Sequence, residues 1–411
     1  MKTGAQARDI ERYIAFDIHK EYVLAGGMSA AQAWVVQPRR IEMGKFRAWA
    51  EKNLCESDAV VLETTTHVWD LYDLVAPWVS RTVVAHAGAV RQIAEARVKT
   101  DKKDIERLIR LWIADIVPAV WVPPVEVREL RGRISYRNRL VKTSTMIRNR
   151  LQSLIHRHNL LLPKGKWRDK AWWQAQQMSA LEQIQIRQEL AMLEEMEKHK
   201  GEVDGELGRQ SLAEVWGKQA MRLLQLSGFG VVISMTVLSA IGDVTRFESA
   251  KQLVGYSGLG AGVHDSGKEH IQKRITKSGR KELRWALVEA AWQAIRISPY
   301  WKEQYETDLR RMRRPNQAMP RCHFQRAHRC ESIVCFYLNP ASRLMPQQTR
   351  RNGLARAQNK PGRVQRRVVP QTASAHLCSR RPRRYYLRLH SPSEEPAPHK
   401  DDSHLAFPAR V

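Results

Sequence analysis

Residues 13–18 have the sequence YIAFDI, a run of apolar and aromatic residues that contains one acid, Asp17. Such a run predicts a buried β-strand. A carboxylate in a buried strand costs free energy unless a partner or a metal ion meets it. We therefore expect either a basic side chain or a metal ion next to Asp17. The positions of the other acids in the chain favour one of these two alternatives.

A second acid stands at the end of another apolar run. Residues 59–62, AVVL, predict a core strand, and Glu63 follows it directly. The next three residues, Thr64 to Thr66, are suited to cap a helix that begins near Val68. Glu63 is therefore expected at a strand end, which is where open α/β sheets place their active sites.

Two more acids lie in the segment KTDKKDIERL, residues 99–108. Thr100 is the expected N-cap of a helix that runs to about Ile116, and Asp101 and Asp104 share one face of it. An Asp in a first helical turn is also favoured by the helix dipole alone, and a lone acid in a strand is commonly a salt-bridge partner. The four acids together instead predict a site for about two Mg²⁺ ions, held against a phosphodiester.

The remainder of the N-terminal region keeps an α/β rhythm. RTVVAH at residues 81–86 predicts another strand, and residues 89–98 predict a helix. Three prolines between residues 118 and 124 then mark a boundary. Residues 1–120 are therefore expected to form one α/β domain.

Residues 121–221 lack strand patterns and predict long charged helices, in a helical hairpin or coiled-coil arm. Two approximate apolar stripes support this, namely Leu130, Ile134, Val141, Ile147, Leu151, Leu154 and Ile155, and Leu181, Ile184, Leu190, Leu193 and Met196. The first helix also has a basic face, made of Arg137, Arg139, Lys142, Arg148 and Arg150. That face either tracks nucleic acid or is simply solvated, and the sequence leaves both interpretations open.

Residues 222–314 predict a second compact, mainly helical domain. The segment LLQLSGFG, residues 223–230, followed by a helix from Val231 to Ile241, resembles a helix-hairpin-helix turn. In such a turn, Gly228 and Gly230 would let backbone amides approach a phosphate. Taken alone, this motif has low specificity.

A serine in the same domain is followed by many cations. Ser266 lies in DSG, residues 265–267, and the basic residues after it are Lys268, Lys273, Arg274, Lys277, Arg280 and Lys281. A serine hydroxyl needs activation to act as a nucleophile, and nearby cations would stabilise a phosphoryl transition state. Without further information an Asp-Ser-Gly sequence is ordinarily a turn, and Ser257 in GYSGL, residues 255–259, is expected to lie in one as well.

The segments AFDIHK, VVLETT and KTDKKD, which begin at residues 15, 60 and 99, together with GYSGL and DSGK, resemble the DEDD insertion-sequence transposases, a group related to the Piv DNA invertase. The resemblance covers residues 10 to about 312. It implies an N-terminal RNase H-like (RuvC-like) α/β domain, a helical coiled-coil middle segment and a mainly helical C-terminal transposase domain. It also implies that Ser266 is the nucleophile that links covalently to DNA, and that the metal ligands are Asp17, Glu63, Asp101 and Asp104.

The same resemblance implies partners and location. The substrate would be DNA, the cofactor Mg²⁺, and the assembly a homodimer or homotetramer formed through residues 121–221. A bridge RNA guides some members of the family, so a structured guide RNA is a further implied partner. The protein would act in the bacterial cytoplasm, in association with the nucleoid.

The composition agrees with a nucleic-acid partner. The chain has 69 Lys+Arg and 42 Asp+Glu, and its formal charge of +27 favours binding to phosphate backbones. No apolar run approaches the ~18 residues of a membrane span, and the N-terminus lacks the apolar segment of a secretory signal. Five cysteines without CxxC spacing favour a reducing compartment.

Residues 315–411 differ abruptly in composition, with sixteen Arg, five acids and no tryptophan after residue 315. This tail is expected to be disordered, because it shows no sustained helical or strand period. The abrupt change favours translation in a shifted reading frame over an evolved basic arm. Its Cys322, His323, His328 and Cys330 lack the spacing of a zinc site.

Three functions are compatible with the sequence. The first is a transposase or site-specific DNA recombinase with a DEDD metal site and a serine nucleophile. The second is a metal-dependent junction-resolving nuclease in which water attacks and Ser266 lies in a turn. The third is an inactive nucleic-acid-binding copy. A covalent protein–DNA adduct would identify the first, a free nicked product the second, and binding alone the third.

Overall fold

The computed structural model describes residues 10–93, 101–266 and 269–311, and for most residues between 263 and 274 the description is of the backbone. An α/β domain comes first, and helices form most of the rest of this part of the chain. Thr100, the second half of the helix expected at 89–98, and the tail from residue 315 lie outside the described residues.

The N-terminal domain contains a six-stranded sheet. Its strands are β1 (Arg12–Ile18), β2 (Tyr22–Ser29), β3 (Trp34–Glu42), β4 (Asp58–Glu63), β5 (Arg81–Ala85) and β6 (Ala119–Val120). Their order in the sheet is β3-β2-β1-β4-β5-β6. The first three strands form an antiparallel meander, β4 and β5 run parallel to β1, and β6 is antiparallel to β5. The predicted α/β character of this domain is confirmed.

Helices pack on both faces of the sheet. They are α1 (Phe46–Asn53), α2 (Val68–Val75), α3 (Ala87–Ile93) and α4 (Asp101–Ile113). Phe16 and Leu62 are buried on the face that α1 and α2 cover. Ala15 and Val61 are buried on the opposite face, against α3 and α4. Because side chains alternate along a strand, the odd-numbered residues of β1 and β4 point toward α4.

The expected alternation of strands and helices is wrong between β1 and α1, because β2 and β3 follow without a helix between them. The pattern of β2 is obscured by Gly26 and Gly27, which lie in its middle. A Cβ atom on Gly26 would lie 2.9 Å from Cγ2 of Ile105, so this glycine allows α4 to approach the sheet closely.

The helix after β4 begins at Val68 as predicted, but the threonines before it do not cap it. The N-cap residue is His67, which makes no side-chain cap hydrogen bond. The backbone N–H of Ala87 donates to Thr64 Oγ1 at 3.2 Å, so this threonine joins the end of β4 to the start of α3. The cap prediction is wrong because a turn at residues 66 and 67 separates Thr64 and Thr65 from the helix.

The middle of the chain forms the predicted helical hairpin. Its long helices are α5 (Val125–Arg157) and α7 (Ala180–Gln210), with the short α6 (Lys170–Gln174) between them. Ile147, Leu151, Ile186 and Leu193 are buried between the long helices. Three residues of the predicted stripes are instead exposed, namely Val141, Leu181 and Ile184. On α5, Leu140 is buried in place of the predicted Val141. The predicted stripe had only approximate spacing, whereas the buried side chains follow the 3.6-residue period of the helix.

Ion pairs across the hairpin account for most of the basic face of α5. Arg137 pairs with Asp204, and Arg150 pairs with Glu189. Arg148 also pairs with an acid of α7, Glu197. Residue numbers rise on α5 as they fall on α7, so the helices are antiparallel. These three arginines bind the partner helix, a role that neither of the two sequence-based interpretations included.

The C-terminal part is mainly helical, as predicted, with one hairpin. Its elements are α8 (Glu214–Leu224), α9 (Val231–Ile241), α10 (Ala250–Ser257), β7 (Ala261–Ser266), β8 (Glu269–Ile275), α11 (Lys281–Ile297) and α12 (Pro299–Arg311). α9 has the predicted bounds, and its residues from Ser234 to Ile241 are all buried. The β7–β8 hairpin was not predicted, because its glycine-rich segment lacks a sustained strand pattern.

Across residues 10–93, 101–266 and 269–311, we find no helix with the length and apolar character that a membrane crossing requires.

Candidate active site

Asp17 and Glu63 lie at the carboxyl ends of neighbouring parallel strands. Phe16 of β1 is in register with Leu62 of β4, so the next residue of each strand is the acid. Both acids occupy odd-numbered positions and therefore point to the sheet face that α4 covers. The two acids predicted from separate strands thus lie on the same face of one sheet edge.

The first turn of α4 brings Asp101 to this edge. Ile105, one turn further along the helix, is fully buried and packs in the same cluster as Ala15 of β1. This packing holds the start of α4 beside the end of β1. Because Ile105 is buried against the sheet, Asp101, four residues before it, is held close to Asp17.

His19 lies between the two aspartates. Its Nε2 atom is 3.1 Å from Oδ2 of Asp17 and 3.9 Å from Oδ2 of Asp101. One ligand atom from each of the three side chains lies within 4.8 Å of the others, close enough for all three to bind a single metal ion. Asp17 and His19 are half-buried and Asp101 is exposed, so a phosphodiester could reach the group from solvent.

Tyr22 supports this group from the second strand. Its hydroxyl donates a long hydrogen bond of 3.5 Å to Oδ2 of Asp101. Its ring stacks on the His19 ring with a centroid distance of 4.3 Å, and the guanidinium carbon of Arg40 lies 3.4 Å from the Tyr22 ring centroid. Tyr22 thus contacts two members of the group and restricts their orientation.

His19 and Tyr22 were not predicted as site residues from the sequence. His19 follows Asp17 by two positions, which places both side chains on one side of an extended chain. This spacing could have identified His19 as a neighbour of Asp17. The position of Tyr22 depends on a tight turn in which the His19 N–H donates to the Tyr22 carbonyl oxygen at 2.9 Å. No local pattern predicts that turn.

The other two predicted acids, Asp104 and Glu63, are not among the three described residues whose ligand atoms lie within 4.8 Å of one another. Asp104, one turn after Asp101, accepts a hydrogen bond of 3.1 Å from Nη1 of Arg107 on the same helix. Glu63 is half-buried at the end of β4, and the next residue, Thr64, donates its backbone N–H to the carbonyl of Ala85 on β5. The participation of Glu63 and Asp104 in a shared metal site stays a prediction.

Ser266 is the last residue of β7 and is paired with Glu269 of β8, at the end of the hairpin. Gly267 and Lys268 lie outside the described residues. Lys273 and Arg274 belong to β8. The remaining predicted cations come after the hairpin, with Lys277 in the connecting loop, Arg280 at the N-cap of α11 and Lys281 at its first position.

Ser257, the weaker serine candidate, has a structural role. It is fully buried, its hydroxyl donates to the carbonyl of Val254 at 2.8 Å, and it accepts the N–H of Leu259 at 3.1 Å. Gly258 follows with a φ of +70°. A Cβ on Gly258 would lie 2.0 Å from the carbonyl oxygen of Ser278, so the glycine permits contact between this turn and the loop before α11.

The two glycines of the predicted helix-hairpin-helix turn have different surroundings. Gly228 has a φ of +92°, and a Cβ on it would lie 2.2 Å from the carbonyl oxygen of Ala290 on α11. Its lack of a side chain therefore permits close packing of the turn on α11. Gly230 is the N-cap of α9, and a Cβ on it would meet nothing within 4 Å.

This chain is similar to known proteins that are named as transposases or as gene-inverting proteins. Residues 220–306 match the family model described as "Transposase IS116/IS110/IS902 family". This segment contains α9, the β7–β8 hairpin and Ser266. The chain is thus related to the IS110-type transposases, and the resemblance predicted from its motifs is confirmed.

Individual relatives agree with the family match. The y4qE protein of Sinorhizobium fredii, which is named as a transposase, is 30% identical over 227 residues. The aligned segment covers 54% of this chain and 55% of the y4qE chain. The transposase for insertion sequence element IS1111A of Coxiella burnetii is 22% identical over 204 residues, covering 48% and 55%. The pilin gene-inverting protein of Moraxella bovis is 44% identical over 70 residues, covering 17% and 22%. The chain spans about half the length of the first two relatives.

Proposed function

We propose that the protein is a transposase or site-specific DNA recombinase, which cuts and rejoins DNA strands when a mobile element is inserted or excised. One observation carries the proposal: Asp17, His19 and Asp101 are grouped at the carboxyl end of β1, in a chain whose C-terminal domain matches a transposase family. Strand ends of α/β sheets are a common place for catalytic groups, and acids there suit phosphoryl transfer.

The N-terminal domain is proposed to be RNase H-like (RuvC-like). An antiparallel meander of three strands, followed by the parallel strands β4 and β5, supports this assignment. The position of Asp17 and Glu63 on adjacent strand ends supports it further, because both acids face the helix that carries Asp101 and Asp104.

The donor set fits a hard divalent cation. Carboxylate oxygens are the protein ligands that Mg²⁺ prefers, and the Asp17 and Asp101 carboxylates already lie close to one another around His19. About two Mg²⁺ ions would polarise the phosphodiester and stabilise charge on the attacking and leaving oxygens when bound. The residues proposed to hold them are Asp17, Glu63, Asp101 and Asp104.

Ser266 is the proposed nucleophile. Its Oγ would form a bond to the scissile phosphorus while the bond from phosphorus to the leaving sugar oxygen breaks. The hydroxyl loses its proton and the leaving oxygen gains one, so the phosphodiester is exchanged for a phosphoserine ester. Rejoining reverses the exchange with a new sugar hydroxyl, and this requires no external energy source.

The DNA backbone is proposed to contact cations around the hairpin, with Gly228 and Gly230 in the turn before α9 as weaker candidates. These cations are Lys268, Lys273, Arg274, Lys277, Arg280 and Lys281. The formal charge of +27 supports such binding and makes it salt-dependent. A homodimer or homotetramer, a structured guide RNA, and a cytoplasmic location in association with the nucleoid belong to the same proposal.

A metal-dependent nuclease is the second candidate. The grouping of Asp17, His19 and Asp101 forms without any contribution from the C-terminal hairpin, so these residues alone could direct water at a phosphodiester. In that case the products would be free nicked strands, and Ser266 would be a hairpin residue without a chemical role.

A covalent-adduct assay tests the proposal. Labelled DNA carrying an element end is incubated with the full chain and Mg²⁺, and denaturing gels report protein–DNA adducts and free nicks separately. Ser266→Ala should abolish the adduct while DNA binding is retained, since the hydroxyl is needed in the transition state and the cations make the ground-state contacts. Ser278→Ala is the matched control, because Ser278 is an exposed serine in the loop before α11.

The outcomes separate the candidates. An adduct that persists in Ser266→Ala would remove the covalent mechanism. Mg²⁺-dependent nicks without an adduct in the unmodified chain would favour the nuclease. DNA binding with neither product would indicate an inactive copy.

A further inference from the structure

An exposed arginine lies in line with Asp17 across the sheet. Asp17 of β1 is in register with Leu24 of β2, and Leu24 is in register with Arg40 of β3. Residues in register on neighbouring strands point to the same face, so the Arg40 side chain lies on the face of the Asp17 carboxylate. Packing agrees with this: Leu24 contacts the apolar cluster under α4, whereas Ile41, directly after Arg40, is buried on the opposite face.

Tyr22 connects Arg40 to the candidate metal group. The Arg40 guanidinium carbon lies 3.4 Å from the Tyr22 ring centroid, which is close contact for a cation–π pair. The same ring stacks on His19, and its hydroxyl donates to Asp101. Arg40 is therefore joined through one side chain to two members of the group. The contacts that orient His19 and Asp101 also fix the position of this cation.

The hydrogen-bond donors of Arg40 are unengaged in the part of the chain that the structure describes. A cation–π contact uses the face of the guanidinium, whereas its N–H groups point outward in the plane. Within this part of the chain the Tyr22 ring is the partner found for Arg40, while Arg12, Arg107 and Arg110 of the same domain pair with acids. Because Arg40 is exposed, a ligand can reach these donors from solvent.

The charge and geometry of this edge suit a phosphate at Arg40. Asp17, Asp101 and Glu63 are carboxylates and would repel an approaching phosphate, so a fixed positive charge beside them favours its binding. Glu63 lies one strand from Asp17 on one side, and Arg40 lies two strands away on the other. The planar fork of a guanidinium matches two oxygens of one phosphate. A strand laid across the strand ends would therefore pass the acids and then Arg40.

We propose that Arg40 is a substrate-binding residue, whose guanidinium contacts a backbone phosphate next to the scissile one in the strand that crosses the Asp17 group. Tyr22 positions the guanidinium for this contact. The assignment rests on the proposed function, because that function supplies the DNA strand. It adds a contact in the N-terminal domain, whereas the DNA contacts proposed above all belong to the C-terminal domain.

The salt dependence of DNA binding by the full chain tests this contact. Fluorescence anisotropy follows labelled duplex and single-stranded DNA of equal length, in EDTA so that no strand is cut. Loss of one phosphate contact should lower the slope of log affinity against log salt by about 0.9 for the duplex and about 0.7 for the single strand. Arg40→Gln should show this loss, and Arg40→Lys should recover most of the slope because it keeps the charge.

Arg39→Gln is the matched control. Arg39 is the preceding residue and is also exposed, so this variant removes the same charge from the same strand. Arg39 is in register with Ala25, which is buried on the face that α1 and α2 cover, so its side chain points away from the Asp17 group. The slope should therefore change far less than in Arg40→Gln.

A cysteine footprint reports the position of the contact directly. Arg40→Cys and Arg39→Cys are each alkylated with iodoacetamide, with and without saturating DNA, and mass spectrometry follows every cysteine. DNA should slow alkylation several-fold at position 40 and far less at position 39. Cys55 is the internal reference, because it is exposed and precedes β4, at the opposite end of that strand from Glu63. Its alkylation rate should be the same with and without DNA.

The outcomes separate this contact from the proposed function. Equal slope changes in Arg40→Gln and Arg39→Gln, or equal protection at the two positions, would overturn the contact even if the chain forms Ser266–DNA adducts. An effect specific to position 40, in a chain that gives neither adducts nor nicks, would support the contact while contradicting the recombinase activity. Failure of the unmodified chain to bind either DNA would overturn both.

Discussion

Gly228 approaches Ala290 so closely that a Cβ atom on the glycine would lie 2.2 Å from the alanine carbonyl oxygen. The φ of Gly228 is +92°, a region that other residues rarely adopt. The turn before α9 and the middle of α11 are therefore in direct backbone contact. The glycine serves the packing of the domain that carries Ser266.

Gly228→Ala should destabilise the protein by about 3 kcal/mol or more, because it adds both left-handed strain and overlap with a helix backbone. Gly230→Ala, two residues later, should cost about 1 kcal/mol or less, since a Cβ there meets nothing within 4 Å. Urea unfolding followed by circular dichroism measures both. Equal effects would show that the turn can move away from α11.

Much of the fold could be predicted because several elements carry complete local signals. The YIAFDI and AVVL runs predicted β1 and β4, and the apolar segment from Val231 to Ile241 predicted α9 with its bounds. β2 and the β7–β8 hairpin were missed, because glycines interrupt their side-chain patterns. In both places the neighbouring chain, rather than the local sequence, stabilises the strand.

The candidate site could be predicted only in part. Asp17 and Asp101 stood out because an acid in an apolar strand and an acid in a first helical turn are local features. His19 and Tyr22 did not, because their contacts depend on the β1–β2 turn and on the packing of α4. The pairing of Arg150 with Glu189 likewise joins residues 39 positions apart, which no single-helix pattern contains.

The effect of Mg²⁺ on stability should depend on Asp17. Without metal, Asp17→Asn should change stability little, because it removes both the repulsion between the Asp17 and Asp101 carboxylates and the contact of Asp17 with His19. With millimolar Mg²⁺ the unmodified chain should gain thermal stability, and the variant should gain far less. Differential scanning calorimetry with and without EDTA measures this, and Asp70→Asn on α2 is the control. A Mg²⁺ shift that survives Asp17→Asn would place the metal elsewhere.

The hairpin arm should depend on the Arg137–Asp204 pair. Only 12% of the Arg137 side chain and 27% of the Asp204 side chain is exposed, so loss of either partner leaves a partly buried charge. A double-mutant cycle of Arg137→Gln and Asp204→Asn should give a coupling free energy of about 1–2 kcal/mol in urea unfolding. Arg139→Gln, on the exposed side of α5, should change stability by less than about 0.5 kcal/mol. A coupling near zero would mean that solvent screens the pair.

The junction between α5 and α7 should be pH-dependent. Hydrogen bonds from His158 and then from Ser179 lower the pKa of Glu182 to about 2. A depressed carboxyl pKa contributes stability above the unfolded pKa, near 4.5, and this contribution is lost as the pH falls toward 2. The stability gap between the unmodified chain and Glu182→Gln should therefore shrink as the pH falls from about 5 toward 2. Ser179→Ala, which removes one donor, should flatten this dependence, and a gap that widens in acid would contradict the assignment.

Arg107 should weaken metal binding if Asp104 is a ligand. The guanidinium lies 3.1 Å from the Asp104 carboxylate, with only 23% and 22% of the two side chains exposed, so it competes with a cation for the same oxygen. Arg107→Gln should therefore tighten Mg²⁺ binding several-fold, measured by calorimetric titration. Arg110→Gln is the matched control: it removes the same charge from the same helix, but Arg110 pairs with Glu106 and is 57% exposed. If both variants change the affinity equally, the effect is general charge repulsion, and competition between Arg107 and the metal for Asp104 is ruled out.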